Sequence, residues 1–198
     1  KISFPAEFHS QTAAEAAVRL HPIVKDRLLN IKEIKIKTHE SAIRIISKVG
    51  PLNNPADRDH CLQYMIAVPL AFGNLTAQHY EDDFHHSNPI IDTLREKMTV
   101  EEEPRYTNEY LEPDKRSIAN SLQIIFDDGS VTEEVEINYP VGHRRRRKEG
   151  IPLLEEKFKT NLLTIFTKDR CEEIFSLCKN QKELENTKVT DFMDLFIP

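Results

Sequence analysis

Asp57-Arg58-Asp59-His60-Cys61-Leu62-Gln63-Tyr64-Met65-Ile66-Ala67-Val68-Pro69-Leu70-Ala71-Phe72-Gly73 reads as one apolar helix that carries two side chains able to move protons. Asp57 suits the N-cap, Asp59 suits the positive end of the helix dipole, and Gly73 suits the left-handed residue that closes a helix. His60 and Tyr64 stand four residues apart and so share one face of that helix, while Cys61, Leu62, Met65, Ile66 and Val68 cover most of the remaining circumference. A helix apolar nearly all round is a buried one, and polar groups inside it need partners. Spacing alone favours a core His and a core Tyr satisfied by hydrogen bonds; proton transfer by the same pair is the sharper alternative.

Downstream, residues 76–80 and 88–97 read as short helices, the second with Asn88 as cap and Pro89 at its first position. Between them Glu81-Asp82-Asp83-Phe84-His85-His86 has metal-ligand residue types, yet adjacent His side chains on a helix diverge, so no metal site is assigned. Residues 99–114 are acidic, contain two prolines and read as a surface connection. Residues 117–126 and 131–139 form a predicted hairpin around Asp127-Asp128-Gly129-Ser130, with Val135, Ile137 and Tyr139 alternating with polar neighbours. Upstream, Ile2, Phe4 and Phe8 around Pro5 suggest an extended entry segment. An alanine-rich helix capped by Ser10 or Thr12 follows, with Pro22 just beyond it. Ile34-Lys35-Ile36-Lys37 alternates like a half-buried strand, residues 41–49 read as a helix, and residues 50–55 form a loop. After residue 148 the chain is helical, with apolar stripes at Leu153, Leu154, Phe158, Leu162 and Leu163 and at Ile174, Phe175 and Leu177. These stripes exceed what the preceding sheet can cover, so a further region is expected to pack on them.

The 198 residues suffice for one large domain with a real core. A net charge of −6 disfavours nucleic-acid or membrane binding by the chain as a whole. Three cysteines, Cys61, Cys171 and Cys178, make no ligand cluster and point to a reducing compartment. The chain holds no apolar run of transmembrane length, glycine-rich phosphate loop, zinc-type Cys pair, Gly-x-Ser-x-Gly elbow or His-Glu-x-x-His motif. The start at Lys1-Ile2-Ser3-Phe4-Pro5 reads as the middle of a longer polypeptide. The run Arg144-Arg145-Arg146-Arg147 is open to a plain solvated patch, an anion clamp, a nuclear-type address or an RNA contact.

Four stretches, taken in order and spacing, carry a resemblance: Phe4 to Ala13, Asp57 to Tyr64, Lys115-Arg116-Ser117-Ile118-Ala119-Asn120, and Gly142 to Arg147. Together with Glu155 to Asn161 they resemble the C-terminal part of the MmgE/PrpD family, essentially from end to end. The resemblance implies an α+β lid-type domain over residues 1–141, with short helices and a small antiparallel-containing sheet. Residues 142–198 would be C-terminal helices that return to a helical domain not contained in this chain. It also implies a hydro-lyase that eliminates water from 2-methylcitrate to give 2-methyl-cis-aconitate in propionate catabolism, working without a metal or iron–sulfur cofactor. Expected partners are the tricarboxylate substrate, the N-terminal helical domain and a second copy of the enzyme; nucleic acid and membrane are not expected. The location would be mitochondrial in a eukaryote and cytoplasmic in a bacterium. Tyr64, His60 and Lys1 are the catalytic candidates that the resemblance suggests, and Arg144, Arg145, His9 and Arg58 the substrate-binding ones. A polycarboxylate decarboxylase or epimerase of the same family, and a non-catalytic module built on the arginine run, are the competing readings.

Overall fold

The computed structural model describes residues 2–197 and divides the chain into two compact units, Ser3–Arg146 and Arg147 onward.

In the first unit the helices are α1 (Gln11–Val24), α2 (Glu40–Ile46), α3 (Pro55–Asp59), α4 (Leu62–Phe72), α5 (Asp82–Ser87), α6 (Ile90–Glu96) and α7 (Pro104–Leu111). The strands are β1 (Ile31–Thr38), β2 (Met98–Glu102), β3 (Asn120–Phe126) and β4 (Val135–Ile137). They form one sheet in the order β2-β1-β3-β4, with β1 parallel to β2 and antiparallel to β3. In β1 the side chains of Ile31, Ile34, Ile36 and Thr38 are buried, and Ile34 and Ile36 pair with Ile124 and Leu122 of β3. That alternation gives the sheet one apolar face, which α1 covers, and α4 packs on α1. The small side chains Ala13, Ala14, Ala16 and Ala17 are fully buried and let α1 approach its neighbours closely. The α+β class read from the sequence is thus the class observed.

The hairpin, the strand around Ile34 to Lys37 and the close of α4 at Gly73 follow the sequence reading, Gly73 at φ 78°. A Cβ added at Gly73 would lie 2.8 Å from Cδ2 of His21, so both conformation and space call for glycine there. Three local expectations are corrected. The stretch 57–73 is two helices: Asn54 caps α3 through the Asp57 amide at 2.9 Å, Pro55 opens it, and extended Cys61 (φ −121°, ψ 108°) starts α4 afresh. Residues 99–114 are an edge strand plus a helix, because β1 offers a free parallel edge to Met98 and Val100 and Glu103 caps α7 through the Arg105 amide. Pro22 lies within the last turn of α1, where its missing amide leaves the Val18 carbonyl without its usual helical donor.

The second unit contains α8 (Arg147–Leu162), α9 (Lys168–Lys179), α10 (Gln181–Asn186) and α11 (Val189–Asp194). Its core is small: Leu162, Cys171 and Ile174, with Phe158, Phe166, Cys178, Leu195 and Phe196 packed around them. Ile151, Leu153, Leu154, Leu163, Ile165, Val189 and Met193 are exposed.

Candidate functional site

The split between α3 and α4 separates the two side chains that a single helix would have aligned. His60 lies exposed in the link, its Nδ1 against Asp59 Oδ1 at 2.5 Å. Tyr64, on the first turn of α4, is fully buried and donates its hydroxyl to the His79 carbonyl at 2.5 Å. His60 and Tyr64 share no hydrogen bond or ring contact among the described residues. The Tyr64 ring stacks near Tyr80 (centroids 5.9 Å) and meets the edge of His85 at 5.5 Å. Burial drives its pKa upward and the Arg58 charge opposes this only in part, so the phenol holds its proton at neutral pH.

Arg58 is fully buried on α3, and its guanidinium is committed inside the protein. Nε donates to the Tyr80 carbonyl at 2.7 Å, Nη2 pairs with Asp82, and Nη1 donates to His85 Nδ1 at 3.4 Å. With Nδ1 accepting, His85 donates Nε2–H to Asp92 Oδ2 at 3.0 Å, and Asp92 in turn pairs with Arg95. The chain Arg58–His85–Asp92–Arg95 thereby fixes the segment from Tyr80 to Arg95 against Tyr64, and Arg58 itself serves as a positioning residue in this fold. Arg95, Asp92 and Lys48 also line a cleft of about 550 Å³.

His9 belongs to a second cluster. Glu7, which caps the short turn before α1, accepts from the His9 amide at 2.7 Å and meets His9 Nδ1 at 2.9 Å. His9 Nε2 lies 3.2 Å from the Tyr110 hydroxyl, and the Tyr110 ring stacks on His39 with centroids 4.7 Å apart. Burial raises the Glu7 carboxyl, but the hydrogen bonds and charge of His9 outweigh that and hold it below its usual range. His39 is fully buried with neither ring nitrogen partnered, and burial followed by the charge of His9 lowers its pKa to about 4. The two clusters approach each other where the Ser10 hydroxyl contacts Met65 Sδ at 3.0 Å, next to His9 on one side and to Tyr64 on the other.

Arg144 and Arg145 both donate to the Asp114 carbonyl, at 2.6 and 2.9 Å, and Arg145 lies over the Tyr139 ring. Each keeps most of its N–H donors toward solvent, whereas Arg146 is engaged by Glu15 and the Tyr139 carbonyl. Lys1 lies outside the described residues. Among the described residues no group of three or more His, Cys, Asp or Glu side chains is placed to hold a metal ion. His85, Asp92, His39 and Tyr110 were not singled out individually from the sequence; only the density of His and acidic residues over 81–92 hinted at the first two.

These geometries sit in a fold that the family comparison identifies: the model described as the MmgE/PrpD C-terminal domain matches residues 4–181, and the chain belongs to that family. The chain is 51% identical to 2-methylcitrate dehydratase of Cupriavidus necator across 99% of its own length and 41% of that protein. Against 2-methylcitrate dehydratase of Escherichia coli (strain K12) it is 49% identical, across all of this chain and 41% of that one. It is likewise 49% identical to a protein of Yarrowia lipolytica named 2-methylcitrate dehydratase, mitochondrial, covering 38% of it. The chain therefore spans about two-fifths of the length of the curated relatives it matches.

Proposed function

We propose that the intact protein is a hydro-lyase that removes water from 2-methylcitrate to give 2-methyl-cis-aconitate in propionate catabolism, and that this chain is its lid and closing helices. One observation carries the reading: identity near 50% runs over the whole chain, to bacterial and fungal proteins that all bear the dehydratase name. The intact enzyme would be a homodimer, mitochondrial in a eukaryotic source and cytoplasmic in a bacterial one, with the site completed by groups on the N-terminal helical domain.

The reaction needs a base for a weakly acidic proton next to a carboxylate, cations for the developing charge, and an acid for the departing hydroxyl. Tyr64, held as a neutral phenol, is assigned the acid role, for which its hydroxyl has to turn from the His79 carbonyl it donates to toward the substrate. His60 is exposed and free to reach a substrate from the link between α3 and α4. Arg144 and Arg145, anchored on Asp114 with donors to spare, suit carboxylate binding, and Lys1 stays a candidate base of the family type.

The test is the intact enzyme with 2-methylcitrate, followed by absorbance of the conjugated product. Formation of that product supports the reading; carbon dioxide release without it indicates a decarboxylase. Tyr64→Phe should lower turnover on the order of a hundredfold while the melting midpoint barely moves. Wild-type turnover in that variant removes Tyr64 from the chemistry.

A further inference from the structure

Glu7, His9 and Tyr110 are drawn from two places far apart in the sequence, the turn before α1 and the end of α7, and they are joined in a row. The Glu7 carboxylate faces His9 Nδ1 at 2.9 Å, so that nitrogen carries the hydrogen and Nε2 is left as the acceptor. Nε2 lies 3.2 Å from the Tyr110 hydroxyl, at the end of the row away from Glu7, and Tyr110 is half-buried, as Glu7 is. Among the described residues His39, from the junction of β1 and α2, is a further titratable group against this row: it packs 5.1 Å from the His9 ring and stacks on Tyr110. Being neutral above about pH 4, it neither adds a competing charge nor takes up a proton from the pair, and its ring fixes the orientation of the phenol. The base of the row is rigid as well, because Asn120 donates to the His9 carbonyl at 2.9 Å and Ser10 to that of Glu7 at 2.7 Å.

We propose that Glu7–His9–Tyr110 is a proton relay, a second acid–base site in which the Tyr110 oxygen is the end that meets a hydroxy-polycarboxylate. This rests on the dehydratase reading above. As the Tyr110 oxygen takes a proton from the substrate carbon, its own proton passes to His9 Nε2. The C–H electron pair forms the new double bond and the C–O pair leaves with the hydroxyl. The imidazolium so formed faces the Glu7 carboxylate; as product leaves, His9 returns its proton to the Tyr110 oxygen, which releases the substrate's proton to solvent, balancing the proton that the departing hydroxyl takes up to leave as water.

Two measurements on the intact enzyme decide it. Nitrogen-15 spectra of labelled histidine should show His9 Nε2 as the bare, accepting nitrogen at neutral pH, and its resonance should move in Tyr110→Phe. Turnover of Tyr110→Phe and of Glu7→Gln should fall at least tenfold with KM little changed, and Tyr110→Phe should lose one limb of the wild-type pH profile. A hydrogen on Nε2 instead of Nδ1, or wild-type turnover and pH profile in Tyr110→Phe, overturns the relay. Should the wild-type enzyme turn over no tricarboxylate, the dehydratase reading falls. The relay is then judged on the spectra and is overturned unless Nε2 is bare and moves with Tyr110→Phe.

Discussion

Helices α4 and α8 each hold a proline and several Leu, Ile or Phe residues, but α4 has no charged residue where α8 has seven among sixteen, and they end in opposite environments. Nine of the eleven residues of α4 are buried, whereas Gly150 and Leu162 alone are buried among the sixteen of α8. The difference lies in composition and in what surrounds them. α4 packs on α1 and α6 within its own unit, while Ile151, Leu153 and Leu154 of α8 face solvent. An apolar stripe states that a surface is to be covered; it does not say which part of a chain covers it.

The contrast can be broken by stability measurements on this chain. Leu70→Ala, in the closed interior of α4, should cost about 4 kcal/mol, because the neighbours on every side limit collapse into the cavity. A loss as small as that of a surface change would mean that α4 is loosely held. The second expectation concerns pH. Folded His39 titrates near 4 against an ordinary value of 6.5, so the unfolded chain takes up the proton first as the solution is acidified. Stability from this group is complete above about pH 6.5 and is lost as the pH falls toward 4, on the order of 3 kcal/mol in all. Denaturant titrations across that range should show His39→Phe with a flatter dependence than wild type; equal slopes would remove His39 as the cause.

Arg58→Met should cost about 2 kcal/mol, since the buried Tyr80 carbonyl and His85 Nδ1 lose their donor. Hydrogen exchange should rise across residues 80–95 in that variant, and unchanged protection there would show that Arg58 does not brace the segment. At the small end, Leu154→Ala on α8 should change the stability of this chain by no more than about 0.5 kcal/mol. A large loss would place Leu154 in a core and erase the contrast with α4.

Local chemistry made much of the first unit readable in advance. The Asp-Gly turn between alternating strands, the Ile34–Ile36 alternation and the closing Gly73 each act through neighbours in sequence, so their signal is written within a few residues. Strand β2 was not readable because it has only Met98 and Val100 as apolar positions and exists by pairing with β1 across residues 39–97. The break at His60-Cys61 was hidden for a related reason. The apolar run begins only at Cys61, after the polar Asp57-Arg58-Asp59-His60, and helical periodicity alone does not read that change as a break, while Arg58 just before it reaches Tyr80 and His85. At the candidate sites, Tyr64, Arg58 and His9 were legible as residues of interest. Their partners His85, Asp92, Tyr110 and His39 were not, since these meet them only after the chain has folded back.

The close approach of His21 to Gly73 makes variation at position 73 depend on a residue far away in the sequence. His21 Nδ1 bonds the Leu70 carbonyl at 2.9 Å, one of the carbonyls that the end of α4 leaves without a helical partner. The ring that makes this bond is also the ring that fills the space a side chain at position 73 would need. A chain of this fold that admits even alanine at 73 has to move or shrink the residue at 21 and so forgo the bond at Leu70. Position 73 therefore cannot leave glycine while histidine stands at 21, whereas 21 can vary with glycine kept, and an aligned set of such chains should show glycine at 73 wherever histidine stands at 21.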